Sequence, residues 1–132
     1  MTTITLSIPG EPITKKRPRF ARVKGGVRTY DSQSEAAETM KWQMKARIKG
    51  QPPLQGALHL SLIYVFARPK SRVKLKEVFH TLTPDLDNLI KFSSDVGNDT
   101  LWYDDRQIVS ISAIKIYGSH AQTIITVGQV ES

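Results

Sequence analysis

Leu58, Leu60, Leu62, Tyr64 and Phe66 alternate with His59, Ser61, Ile63 and Val65, and both sets are largely apolar. A strand with one solvated face reads apolar on one side only, so this run predicts a strand inside a sheet. The rest of the chain must then supply a neighbour on each side of it and a cover for the sheet. Residues 3 to 8 alternate Thr and Ser with Ile4, Leu6 and Ile8 and stop at Pro9-Gly10, which predicts a first strand. Residues 107–117 are rich in β-branched side chains, and 123–130 resume the pattern after Gly118-Ser119-His120, so a C-terminal antiparallel hairpin is expected there.

Two helices complete the pattern. Ser32 followed by Glu35 fits a capping box, and Ala37, Met40, Met44 and Ile48 recur at helical spacing until Gly50 and Pro52-Pro53, giving a helix over 32–49. After Pro84, the residues Leu86, Leu89, Ile90 and Val96 form one apolar face that ends near Gly97-Asn98, with Asp85 and Asp87 at the start. The expected order is β-(arm)-α-β-(basic loop)-α-β-β. That is an α/β chain of the α+β type, a single domain over residues 1–132 with helices packed on a mixed sheet. At 132 residues, 39% hydrophobic and 23% charged, it has the composition of an ordinary globular protein. Trp42 and Trp102 are expected as core anchors.

The chain has no cysteine, so disulfides, thiolate metal sites and thiol nucleophiles are excluded, and any metal must be held by oxygen or imidazole. His59 has strand neighbours and His80 and His120 stand alone, which leaves no histidine-based catalytic pair. The N-terminus lacks the order of a signal peptide and no apolar run approaches a membrane span, so a cytoplasmic protein is expected.

The formal net charge is +7, which suits a polyanionic partner. Lys15, Lys16, Arg17, Arg19, Arg22, Lys24 and Arg28 fall in one acid-free tract that reads as a basic arm or hairpin. Arg68, Lys70, Arg72, Lys74 and Lys76 occupy every second position of another, and would share one side if that segment were extended. Both tracts are expected to contact a nucleic-acid backbone. Phe20 and Tyr30 are expected in core or hairpin packing rather than in stacking on bases.

Six of the twelve acidic residues, Asp85, Asp87, Asp95, Asp99, Asp104 and Asp105, lie within one short segment. A carboxylate cluster in a basic protein repels a polyanion unless a divalent cation stands between them, and that combination suggests a metal-dependent nuclease. Oxygen ligands favour Mg²⁺ or Mn²⁺, and the spacing fails the EF-hand pattern. Asp85 and Asp87 answer to two readings, a helix cap or a ligand pair that shares one side of an extended lead-in. Lys91, four residues after Asp87, is either its surface ion-pair partner or a phosphate-binding cation.

The ordered set Asp85-Leu86-Asp87-Asn88-Leu89, Lys91, Asp95, Trp102-Tyr103-Asp104-Asp105 and Gln107-Ile108-Val109 resembles the RusA-type Holliday junction resolvases, small endonucleases of bacteria and their prophages. Gly10-Glu11-Pro12 with Lys15-Lys16-Arg17-Pro18-Arg19-Phe20 is similar to the phage and Gram-positive branch. The resemblance implies Asp85, Asp87 and Asp105 as metal ligands, Asp104 as their neighbour and Lys91 as the essential lysine. It also implies Mg²⁺ as cofactor with Mn²⁺ able to substitute, a homodimer, four-way junction or branched DNA as partner, a role in recombination and repair, and products with 5′-phosphate ends. No small-molecule cofactor or membrane is expected. Thr81-Leu82-Thr83-Pro84 stand where the founding members carry arginines, so their cut-site preference is not carried over. A non-catalytic architectural protein of branched DNA is the alternative.

Overall fold

The computed structural model describes residues 1–15, 19–23, 26–30, 34–72 and 76–131, with 19–23 and 26–30 described by their backbone. Strands β1 (Thr3–Pro9), β2 (Arg19–Val23) and β3 (Gly26–Tyr30) precede α1 (Ser34–Ile48). β4 (Leu58–Ala67), α2 (Leu86–Gly97), β5 (Ile108–Gly118) and β6 (Gln122–Gln129) follow. The main sheet has the order β1-β6-β4-β5, and β2 and β3 form a separate antiparallel ribbon, the hairpin of the basic arm. The expected single α+β domain with a mixed sheet is what forms.

β4 is internal, as its two apolar sets require. Leu58, Leu60, Leu62, Tyr64 and Phe66 are all buried, and they meet Leu89, Phe92 and Val96 of α2 and Met40 and Met44 of α1 in one core. The Tyr64 hydroxyl and the buried Ser93 hydroxyl of α2 lie 2.9 Å apart in a hydrogen bond, which ties helix to strand. Burial pushes the Tyr64 phenol far above its ordinary range, so it stays protonated.

β5 and β6 do not form a hairpin. β4 lies between them, parallel to β5 and antiparallel to β6. The unit β4-α2-β5 is a crossover, which lets the most apolar strand gain a partner on both sides. Residues 119–121 suffice to step across one strand, two spacings of ~4.8 Å. The basic run is not extended at its start, because Lys70–Arg72 makes a 3-10 turn. Residues 73–75 and the Ser32 cap lie outside the described residues.

Trp102 is fully buried, but Trp42 is 69% exposed. Two positions from the buried Met40, Trp42 points about 200° round α1 from it, and the Lys45 ammonium lies 5.5 Å from its ring. No helix among the described residues is long and apolar enough to cross a membrane.

Candidate active site

The acidic segment begins at the entry to α2. Asp85 occupies the N-cap position with extended backbone, yet its side chain makes no capping hydrogen bond. The cap reading therefore does not account for it. Asp87 stands in the first helical turn, so the two carboxylates do not share one side of an extended strand as expected. The lead-in is held from β5, where the Lys115 ammonium donates to the carbonyls of Leu82 and Pro84, both at 2.6 Å. Asp85 and Asn88 line a shallow groove closed on its other side by Pro12, Thr14 and Lys15.

Asp87, Lys91 and Asp95 recur at four-residue spacing, a polar stripe on the side of α2 away from the buried Leu89, Phe92 and Val96. Lys91 is exposed, and no ion pair joins it to Asp87. The base of the arm is pinned to the same helix. The Lys15 backbone N–H donates to the Asn88 carbonyl at 3.0 Å, and its ammonium pairs with Asp95 at 2.7 Å.

The second acidic pair sits on the 3-10 turn Asp105–Gln107, which packs against α2. Asp104 caps this turn by accepting from the Arg106 backbone N–H at 2.9 Å, and that bond holds its carboxyl below the usual range. Gln107 completes a capping box, its Oε1 accepting from the Asp104 and Tyr103 backbone N–H groups at 2.9 and 2.8 Å. Its Nε2 donates to the carbonyls of Leu54 and Gly56 at 2.9 and 3.1 Å, which fastens the turn to the loop before β4. Asp105 is thus presented beside a neighbour committed to capping. Its own carboxyl is raised above the usual range, first by partial burial and then by the nearby Asp104 and Asp95.

Asp105 lies near enough to Asp95 for the two charges to interact, and Asp85 and Asp87 stand at the entry of the same helix. Among the described residues no three Asp, Glu or His side chains are gathered about one point. The donor chemistry nonetheless suits a hard divalent cation. Every candidate is a carboxylate, Asp85 is not used as a cap, and the crowding of negative charge that raises Asp105 is what such an ion relieves.

Of the expected backbone-binding cations, Lys15 sits beside the carboxylate stripe, and Lys70 and Lys76 are exposed. Arg68 is committed differently, because it donates to the Glu77 carbonyl at 2.7 Å and lies 5.1 Å over the Tyr117 ring. The side chains of Lys16, Arg17, Arg19, Arg22, Arg72 and Lys74, and those of Phe20 and Tyr30, lie outside the described residues. His80 is stacked on Phe66 at 3.9 Å, and His59 is hydrogen-bonded to Ser110.

Two residues that position the site escape a reading by motif. Lys115 could have been noticed as the lone charge in the β-branched run 108–117. Gln107 belongs to the family-like set of residues, but its grip on two backbone segments depends on where the loop before β4 comes to rest.

A family model described as Endodeoxyribonuclease RusA matches residues 9–128, nearly the whole chain. The chain is also 24% identical over 142 residues to the uncharacterized protein YqaN of Bacillus subtilis (strain 168), with both chains covered in full.

Proposed function

The chain belongs to the RusA endodeoxyribonuclease family, and from that premise we propose that it is a metal-dependent, structure-specific endonuclease that resolves four-way DNA junctions by paired, symmetric nicking. The observation that carries the reading is the disposition of the acids. Asp85 is left uncapped at the entry to α2, and Asp105 is held out by a turn whose capping work is done by Asp104 and Gln107.

Asp85, Asp87 and Asp105 are the residues that would hold Mg²⁺, with Mn²⁺ able to replace it. When bound, such an ion supplies an activated water and neutralises charge on the non-bridging phosphate oxygens. Lys91 presents an ammonium on the Asp87 side of α2, where it orients the scissile phosphate and offsets charge that develops on it. The chain carries no cysteine and no serine–histidine pair at this site, and hydrolysis leaves a 5′-phosphate without a covalent enzyme intermediate.

The basic tracts are the backbone clamp, with Lys15 at the margin of the acidic stripe and Lys70 and Lys76 exposed. Affinity for DNA should fall steeply with salt, roughly one log–log slope unit per phosphate contact. A junction offers pairs of like strands, which suits a two-fold dimer with two sites. The setting is DNA recombination and repair in the cytoplasm of a bacterial host, on a prophage-type protein.

The test is cleavage of a labelled immobile four-way junction beside the matched linear duplex, with Mg²⁺, with EDTA and with Asp87→Asn. Paired nicks that need both the ion and Asp87 are expected. Junction binding without nicks under every condition would move the protein to the architectural class.

A further inference from the structure

We infer that the first half of β5 pairs, antiparallel and about a two-fold axis at Ile111, with the same segment of a second copy of this chain. The inference rests on the dimeric reading above and names its surface. β5 is an edge of the main sheet. Its second half is covered by the chain itself: the Tyr117 N–H donates to the Val78 carbonyl at 2.9 Å, the His80 N–H donates to the Lys115 carbonyl at 3.0 Å, and Phe79 bridges to Ile116. Among the described residues nothing pairs with the outer side of residues 110–114.

The same two bonds show which peptide groups face outward. Lys115 and Tyr117 direct theirs away from β4, and the register with β4 is unbroken from Ser110 to Gly118. By the two-residue alternation of a strand, Ala113 and Ile111 also turn their N–H and C=O outward. A second copy laid antiparallel with Ile111 opposite itself meets those groups with its own, and sets Ser110 opposite Ser112.

The side chains say why the edge is not meant for water. Residues 108–114, Ile-Val-Ser-Ile-Ser-Ala-Ile, contain no charge and no proline in a chain that is 23% charged. Val109, Ile111 and Ile114 are 63, 43 and 44% exposed. Edges that stay single are blunted by charge, proline or brevity. The other edge, β1, is shorter than β5 and ends on Pro9, which cannot donate to a further strand. A second copy is also the occupant that the charge favours. Two chains of +7 repel, so they associate best through a seam free of lysine and arginine. Self-pairing of one segment is the isologous contact that a two-fold dimer requires.

Because the chain lacks cysteine, Ile111→Cys introduces a sole thiol. Directly opposed, hydrogen-bonded residues of an antiparallel pair lie with Cα atoms ~5.5 Å apart, inside the ~4.4–6.8 Å window of a disulfide. Mild oxidation of the full chain, at a concentration where light scattering gives a dimer, should convert this variant to a covalent dimer, while Thr5→Cys on the β1 edge stays monomeric on a non-reducing gel. Ile111→Lys, with an unchanged circular dichroism spectrum, should scatter as a monomer. A dimer in which Ile111→Cys does not cross-link, or in which Thr5→Cys does, overturns the surface and leaves the dimer standing. A wild-type chain that scatters only as a monomer overturns both.

Discussion

The ammonium of Lys115, in the second half of β5, donates to the carbonyl of Pro84 at 2.6 Å, and Pro84 immediately precedes Asp85. The second bond, to Leu82, makes this one side chain the clamp that sets where the chain enters α2. Lys115 lies on the strand that follows the helix, so the position of a candidate metal ligand is governed from another element of the sheet.

Lys115→Met keeps the aliphatic stem and removes both bonds. Bonds to a charged donor contribute roughly 1.5–3 kcal/mol each when shielded, and Lys115 is partly exposed, so a loss of about 2 kcal/mol in total is expected. The check is urea unfolding alongside junction cleavage. Cleavage should fall more than binding does, because Asp85 and Asp87 lose their fixed approach while the basic tracts remain.

Gln107→Leu should loosen the turn that presents Asp105. Its amide serves two backbone N–H groups and two carbonyls, and an apolar replacement leaves all of them to find water. The expected cost is about 2 kcal/mol. Hydrogen exchange should show faster opening at Tyr103 and Asp104, while the amides of β4 stay protected.

Gly97→Ala tests the close of α2. A Cβ at this position would fall within the indole of Trp102, which is fully buried and donates from Nε1 to Asn98 Oδ1 at 2.9 Å. Neither the ring nor the helix end can yield without loss of packing, so destabilisation of roughly 1–3 kcal/mol is expected. Thermal unfolding measures it, and an unchanged Tm would show that the Trp102 pocket is wider than the structure has it.

Asp105→Asn should raise Tm at neutral pH while cleavage is lost. The Asp105 carboxyl is raised in the fold by burial and by Asp104 and Asp95, so its charged form is the disfavoured one. Its contribution to stability is full below the unfolded-state pKa and is lost as pH rises through the folded value. Asp104, lowered by the Arg106 N–H, has the opposite sign, and Asp104→Ala should lose its effect as pH falls through its folded value. Melting curves from acid to neutral pH, without divalent ions, separate the two: the gain from Asp105→Asn should vanish in acid. A site held against its own charge repulsion has this signature.

Much of the architecture was legible in the one-dimensional pattern because it depends on local periodicity. The two apolar sets of β4 demanded an internal strand, the spacing of Leu86, Leu89, Ile90 and Val96 marked α2 and its buried face, and Thr/Ser alternation marked β1. The acidic segment and its family likeness were legible for the same reason, since residue order alone carries them. Partnership between strands is not local. β5 and β6 are separated by a short turn and by their composition read as a hairpin, yet β4 needed a neighbour on each side and took both. Exposure of Trp42 followed from the position of α1 on the sheet, because a two-residue offset from Met40 decides which side of the helix meets the core. The placement of the carboxylates was likewise a tertiary outcome. Sequence determined which oxygens the chain can offer and which of them lie near a helix entry. Only the packing of the Asp105–Gln107 turn against α2 and of β5 beside the helix entry decided that Asp105 comes within reach of the Asp95 charge, that Asp104 serves as a cap and that Lys115 holds the path to Asp85.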